Sequence, residues 1–343
     1  MQLPEGFRKT RIADIRQETA DVKTFVLSDN IDYGAGQFLT VLSTNGIERR
    51  SYSFSSSPVT DKYPAITVKR IPNGKVSREL IDVMRAGDTI AVSGPSGFFT
   101  LPDNIGDFRQ LFFLAAGIGI TPIISLIKSA LHLHPGLAVT LAYSNPAASD
   151  TVFHREITEL VEYYAGRFKV EFLFSSAPDL TRARLSKWLL PTLLTEYLVT
   201  ERENVLFYVC GPFAYMRMVL LGLEEEDIPA GNIRKENFST SVITQTMAPP
   251  DITKHSVEIN YKGTIHRFRS EYPDTILSSA KKNDIQLPYS CENGICGTCV
   301  ARCVSGRVWH RNNEVLTEKE LAEGLILTCT AYPIYGDVQL EIK

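Results

Sequence analysis

The 343-residue sequence has no excess of positive charge: 36 lysines and arginines stand against 39 aspartates and glutamates, a formal net charge of −3. Polyanion binders usually carry a basic footprint, so no nucleic-acid partner is expected. No membrane partner is expected either. The apolar run 111–127 is short for a spanning helix and is broken by Gly117, Gly119, Thr121 and Pro122. Met1-Gln2-Leu3-Pro4-Glu5-Gly6 contains no apolar core of a secretory signal, so a cytoplasmic location is expected. There is no fixed-period repeat and no low-complexity segment. The six histidines (His132, His134, His154, His255, His266 and His310) show no metal-ligand or triad spacing. His132 and His134 precede Pro135-Gly136, where a capping or solvated role at a helix end is expected. What remains is an ordinary globular composition, 44% hydrophobic and 22% charged, with enough length for two or three domains.

The chain changes grammar twice. Short β-rich runs at 22–27, 37–42, 50–55, 65–71 and 88–92 are separated by clusters such as Pro72-Asn73-Gly74 and Gly94-Pro95-Ser96-Gly97. That spacing predicts an antiparallel β-barrel over 1–105. From 106 to 247 apolar strands (111–116, 137–143, 170–174, 205–210) alternate with helices near 122–131, 152–164, 184–197 and 213–224. Alternation of this kind predicts an α/β domain with a parallel sheet covered on both faces. Residues 248–253, with Pro249-Pro250, read as a linker. From 254 to 343 a hairpin around Lys262-Gly263, a helix from Thr275, a cysteine-rich loop and a short helix from Thr317 predict a small α+β domain.

Four of the six cysteines crowd that loop. Cys291-Glu-Asn-Gly-Ile-Cys296-Gly-Thr-Cys299 is C-x4-C-x2-C, with Cys329 as a distant fourth thiolate. This is the spacing of a plant-type [2Fe–2S] cluster, in which each iron takes two thiolates. A structural zinc site is the alternative, but zinc motifs pair short C-x2-C units. Gly294 and Gly297 suit a loop whose backbone must approach sulfide. Cys303 falls outside the pattern and reads as a structural thiol.

Two further motifs suggest redox cofactors. Arg50-Ser51-Tyr52-Ser53 offers a guanidinium for a pyrophosphate, a phenol ring to cover a flavin face and a hydroxyl to reach its redox-active nitrogen. Lys69 and the turn Gly74-Lys75-Val76-Ser77, leading into a helix near Ser77, add a phosphate cradle. Gly117-Ile118-Gly119-Ile120-Thr121-Pro122 follows an apolar strand and opens a helix, where backbone can approach a dinucleotide pyrophosphate.

These segments, in this order, resemble the ferredoxin–NADP reductase superfamily joined to a C-terminal plant-type ferredoxin of the β-grasp class. Tyr208-Val209-Cys210-Gly211-Pro212 and Glu236-Asn237-Phe238 are similar to that superfamily's strand end beside the nicotinamide and its terminal Glu-x-Phe near the flavin. The resemblance implies that Arg50, Tyr52, Ser53 and 74–77 contact the flavin, that Gly211 and Pro212 flank the nucleotide and that Phe238 lies near the flavin. Ser53, Cys210 and Glu236 would lie at the hydride path.

FAD is favoured over FMN by the turn-to-helix phosphate site. NADH is slightly favoured over NADPH, because Ser175-Ser176-Ala177 lacks the arginine that pairs a 2′-phosphate, although Arg182 and Arg184 follow closely. The full order resembles reductase components of multicomponent oxygenases, including the phenylacetyl-CoA epoxidase and ketosteroid-hydroxylase groups. The implied activity takes a hydride from NAD(P)H to FAD and then single electrons through the cluster to a terminal oxygenase. A different acceptor, such as a hybrid-cluster protein, and a non-catalytic redox-sensing module are the rival readings.

Overall fold

The computed structural model describes residues 3–238 and 248–342. The chain divides into two compact units, one spanning chiefly residues 7–238 and the other formed chiefly by the C-terminal residues. The expected domain boundary at 247 lies outside the described residues.

In the first unit, β1 (Arg8–Thr19), β2 (Val22–Leu27), β3 (Phe38–Leu42), β4 (Arg49–Ser53), β5 (Ala65–Lys69) and β6 (Thr89–Ser96) form a sheet in the order β4-β3-β6-β1-β2-β5. A bridge between Phe54 and Ile66 joins the two ends of that order and closes the barrel. Phe25, Leu39, Phe54 and Ile66 fill its core. Strand β1, absent from the sequence expectation, is the longest at 12 residues. Only Thr10 and Ile12 on it are buried, so its apolar signal is thin. Helix α1 (Lys75–Arg78) starts two residues earlier than expected and runs on into a wider turn over Glu79–Val83.

The same unit continues with β7 (Gln110–Ala116), α2 (Ile120–Leu133), β8 (Ala138–Asn145), α3 (His154–Tyr163), β9 (Phe168–Phe174), α4 (Leu189–Tyr197), β10 (Val205–Cys210), α5 (Phe213–Glu225) and β11 (Ile233–Glu236). The strands are parallel in the order β11-β10-β7-β8-β9. Every side chain of β7 and β10 is buried, as strands covered on both faces require. The chain winds outward from β7 to β9 and returns to β10, so the order reverses between β7 and β10. That crevice is where open α/β sheets bind ligands. The helix expected over 184–197 begins only at Leu189; before it the Ser186 hydroxyl accepts the Leu189 N–H at 3.2 Å.

The second unit holds β12 (His255–Tyr261), β13 (Thr264–Ser270), α6 (Ile276–Lys282), β14 (Val300–Ser305), β15 (Val308–His310), α7 (Glu318–Ala322), β16 (Leu325–Leu327), β17 (Ala331–Pro333) and β18 (Val338–Ile342). Its mixed sheet runs β13-β12-β18-β14-β16, with β12 and β18 parallel. Helix α6, capped by Thr275, packs its apolar face of Ile276, Leu277 and Ala280 on that sheet. The end of the expected linker is anchored here: Asp251 accepts hydrogen bonds from Thr253 N at 2.9 Å and Tyr335 N at 2.6 Å. No helix among the described residues is long and apolar enough to cross a membrane.

Candidate active site and iron–sulfur loop

Strand β4 sets four of the candidate residues in a row. Its antiparallel pairing with β3 places Tyr52 opposite Leu39 and Ser51 opposite Thr40. Arg50 is exposed, Tyr52 is half-buried and Ser53 is buried. Burial pushes the Tyr52 phenol up, and the nearby Arg50 charge opposes that rise.

The 74–77 turn lies against the same hairpin. Lys75 pairs with Glu48, just before β4, and Thr44 N donates to Glu79 at 3.0 Å. A Cβ at Gly74 would fall 2.4 Å from Ser77 Oγ and would displace that hydroxyl. The Ser77 hydroxyl donates to Gly74 O at 3.1 Å and accepts from Ile71 N at 3.3 Å, so it shapes the turn itself. Val76 turns its side chain into the barrel core. Lys69 ends β5, where it is paired with Asp21 at 3.4 Å on a different strand from the Arg50–Ser53 row.

The nucleotide turn sits at the crevice. Gly117 has φ +52°, and its carbonyl accepts the Tyr143 hydroxyl at 3.0 Å. A Cβ on Gly119 would lie 2.3 Å from Cys210 O, so glycine there is what lets the turn press on the end of β10. Gly211 likewise leaves room for the Tyr215 ring and Ala116. Thr121 donates its hydroxyl to Ile118 O at 3.1 Å. Thr121 and Pro122 are both buried in the first turn of α2, whose unpaired amides and dipole favour an anion. Pro212, after Gly211, is exposed, and Phe238 is 37% exposed.

A hydrogen bond joins β4 to β11. Ser53 Oγ donates to Glu236 Oε2 at 3.0 Å, a contact between residues 183 apart in sequence. Parallel pairing of β10 with β11 sets Glu236 directly beside Cys210. Burial pushes the Glu236 carboxyl up to about 8, and the Ser53 hydrogen bond holds it from rising further. The Cys210 thiol, fully buried, is pushed up by burial and then by the Glu236 charge. At neutral pH this corner therefore holds an uncharged acid, an alcohol and an uncharged thiol.

In the second unit the four thiols converge. The Cys291 thiol is pushed down by hydrogen bonds from Cys296 and Cys329, while those two thiols are pushed up by the same contacts. Cys329 also contacts Cys299, so all four belong to one group. Four thiols brought together in this way suit a cationic metal that takes all of them as thiolates, and the donor set fits [2Fe–2S]. Cys329 follows β16 rather than lying on it.

Several supports of this loop carry no strong sequence signal. Asn293 N donates to Cys291 Sγ at 3.4 Å, and the Thr298 hydroxyl lies 3.4 Å from Cys296 Sγ. Gly294, at φ +72°, would place a Cβ 2.6 Å from Asn312 O. Asn312 Nδ2 donates to Asn293 O at 2.8 Å and Thr330 Oγ1 to Asn312 O at 2.7 Å, strapping the loop down. His310 Nε2 accepts the Leu327 N–H at 3.1 Å, two residues before Cys329. Burial pushes His310 down to about 4, so it stays neutral and able to accept.

Residues 9–101 match the oxidoreductase FAD-binding domain family, 113–220 the oxidoreductase NAD-binding domain family and 259–333 the 2Fe-2S iron–sulfur cluster binding domain family. The chain is 31% identical to the ferredoxin reductase component of 3-ketosteroid-9-alpha-monooxygenase from Rhodococcus rhodochrous, over 99% of both chains. It is 29% identical to one of the subunits of 1,2-phenylacetyl-CoA epoxidase from Escherichia coli K12, over 98% of this chain and 97% of that one. Among solved structures it is similar to phthalate dioxygenase reductase, described as modular for electron transfer from pyridine nucleotides to [2Fe-2S]. That likeness has a TM-score of 0.61 and 26% identity, and covers 98% of each chain.

Proposed function

We propose, from the premise that this chain belongs to the family of three-domain reductase components carrying FAD-binding, NAD-binding and [2Fe–2S] domains, that it draws electrons from NADH and delivers them singly to a terminal oxygenase. FAD, when bound, accepts a hydride and gives up its electrons one at a time, and a [2Fe–2S] cluster carries single electrons.

The observation that carries the reading is the Ser53–Glu236 hydrogen bond beside Cys210, which joins the flavin strand to the crevice of the nucleotide sheet. Hydride transfer needs aligned rings and excluded water rather than a strong base. The corner supplies that setting. Ser53 and Cys210 are buried, and Glu236 keeps its carboxyl proton at pH 7. Arg50, exposed near the strand's start, would take a phosphate, with Ser51 and Tyr52 along the same strand and the 74–77 turn joined to Glu48 just before it. Gly117, Gly119, Thr121, Pro122, Gly211 and Pro212 would cradle the dinucleotide. Lys69 fits least well, being engaged with Asp21. Cys291, Cys296, Cys299 and Cys329 would hold the cluster.

NADH is the donor this site favours. Arg182, the nearest arginine after the 175–177 loop, donates to Glu171 at 2.9 Å and to Glu196 at 2.9 Å. Two of its nitrogens, Nε and Nη2, are engaged by carboxylates, and a 2′-phosphate would have to compete with both for the guanidinium. Steady-state reduction of a one-electron acceptor such as cytochrome c tests the preference. NADH should give a kcat/KM at least about tenfold above that of NADPH, one extra ion pair being worth roughly 1.4 kcal/mol. A preference for NADPH would overturn the donor assignment.

A further inference from the structure

Part of the seam between the barrel and the nucleotide sheet, both inside the first compact unit, is built from hydroxyls and one ion triad, beside apolar contacts of Val22 and Phe99 with the nucleotide-domain core. After β4 the chain runs buried through Phe54, Ser55, Ser56 and Ser57. Ser57 Oγ lies 2.8 Å from Ser129 Oγ, and Ser125 Oγ donates to Ser56 O at 2.6 Å. Ser56 Oγ is itself held by the Tyr33 hydroxyl at 2.6 Å. Beside them Lys128 Nζ sits 2.6 Å from Asp61 Oδ2 and 2.8 Å from Glu156 Oε1, with its side chain only 9% exposed. Asp61 belongs to the barrel and also accepts the Ser57 N–H at 2.6 Å. Glu156 lies on α3, in the same domain as Lys128.

Ser125, Lys128 and Ser129 stand at i, i+3 and i+4, one face of α2, the helix whose first turn carries the nucleotide residues. The segment they hold begins at Ser53. So the flavin strand is tied to the nucleotide domain at Ser53–Glu236 and again at 56–61. Apolar seams tolerate small slides, whereas hydrogen bonds and ion pairs weaken steeply off their preferred geometry. The Lys128 ammonium is nearly buried, so losing a carboxylate partner leaves its charge less well compensated, although Asp61 and Glu156 are themselves 35% and 38% exposed.

We propose that Lys128 is a positioning residue: through its pair with Asp61 it fixes the register of barrel against nucleotide domain and hence the approach of nicotinamide to flavin. The proposal rests on the reductase reading. Its Lys128–Glu156 pair lies within one domain and serves only to hold the lysine there.

The two carboxylates separate this role from simple stabilisation. Asp61→Asn, Glu156→Gln, Lys128→Met and Lys128→Arg are made in the full chain and reconstituted with FAD. Each is assayed for FAD content, melting temperature, NAD⁺ affinity of the oxidised protein and limiting rate of flavin reduction by NADH. Asp61→Asn should lower the limiting rate by about tenfold or more, since displacements near 1 Å can cost about a hundredfold. NAD⁺ affinity and FAD content should hold. Glu156→Gln should leave the rate within about twofold, a margin for losing a contact inside one rigid domain. Lys128→Met should match Asp61→Asn, the pair should not be additive, and Lys128→Arg should retain most of the rate. Equal rate losses in Asp61→Asn and Glu156→Gln, no loss in either, or a loss fully explained by missing FAD would overturn the proposal. If the wild-type flavin is not reduced by NADH at all, the reductase reading fails instead.

Discussion

Raising the pH through 8 should slow flavin reduction by NADH, and the Glu236 carboxyl is the reason. Its folded value of about 8 lies 3.5 units above the ordinary 4.5. At about 1.4 kcal/mol per unit the fold favours the protonated form by roughly 5 kcal/mol. The sign follows from linkage: a carboxyl raised on folding contributes stability in full below pH 4.5 and loses it as pH rises through 8. Hydride transfer would leave the nicotinamide cationic and the flavin anionic; Glu236 is held by Ser53 on the side expected to face the flavin, where a carboxylate would oppose the flavin's gain of negative charge and a neutral acid would not. A penalty of about 1.4 kcal/mol suffices for a tenfold drop in rate.

Stopped-flow reduction of the FAD-loaded protein from pH 5.5 to 9.5 reads this directly. Wild type should fall with a midpoint near 8, and Glu236→Gln should be flat. Ser53→Ala removes the one hydrogen bond that favours the charged form. A bond to a charged group is worth roughly 1.5–3 kcal/mol, so the midpoint should move up by about one to two units. A flat wild-type profile, or the same transition in Glu236→Gln, would refute the reasoning.

Gly119→Ala should abolish reduction by NADH, because its Cβ would meet the Cys210 carbonyl at 2.3 Å; FAD should still bind, as flavin fluorescence quenching would report. Cys329→Ser should remove the cluster's visible envelope and cytochrome c reduction while leaving NADH reduction of the flavin intact in stopped flow. Acidification from pH 6.5 towards 4 should destabilise the C-terminal unit. His310 is held down at about 4, so its contribution is complete above 6.5 and is lost as pH falls through 4, roughly 3 kcal/mol in all. Denaturant titrations following cluster absorbance in wild type and His310→Gln would show this as a pH slope present only in wild type.

The sequence was most readable where one residue type performs one task locally. Strands β7 and β10 are unbroken apolar runs, and the C-x4-C-x2-C comb states its own chemistry. Strand β1 was hidden because it lines the barrel with only Thr10 and Ile12 buried. Helix α4 begins later than its apolar periodicity suggests, since Leu185, apolar and buried, precedes the helix without belonging to it. The candidate site divides in the same way. Cys210 and Gly211 form a short motif, but the bond between Ser53 and Glu236 depends on how two domains pack. Lys128 reads in sequence as an ordinary polar position on a helix, yet it is buried between carboxylates from two domains. His310 shows no ligand or triad spacing because its partner is the Leu327 amide, which every non-proline residue has.

The central claim is that electrons from NADH reach a [2Fe–2S] cluster within this one chain. Anaerobic titration of the purified holoprotein with NADH, followed by visible absorption and low-temperature electron paramagnetic resonance, tests it most directly. Bleaching of the flavin band is expected together with the axial or rhombic signal of a reduced [2Fe–2S] cluster. A flavin that bleaches while the cluster stays silent, or a protein that NADH leaves unchanged, would contradict it.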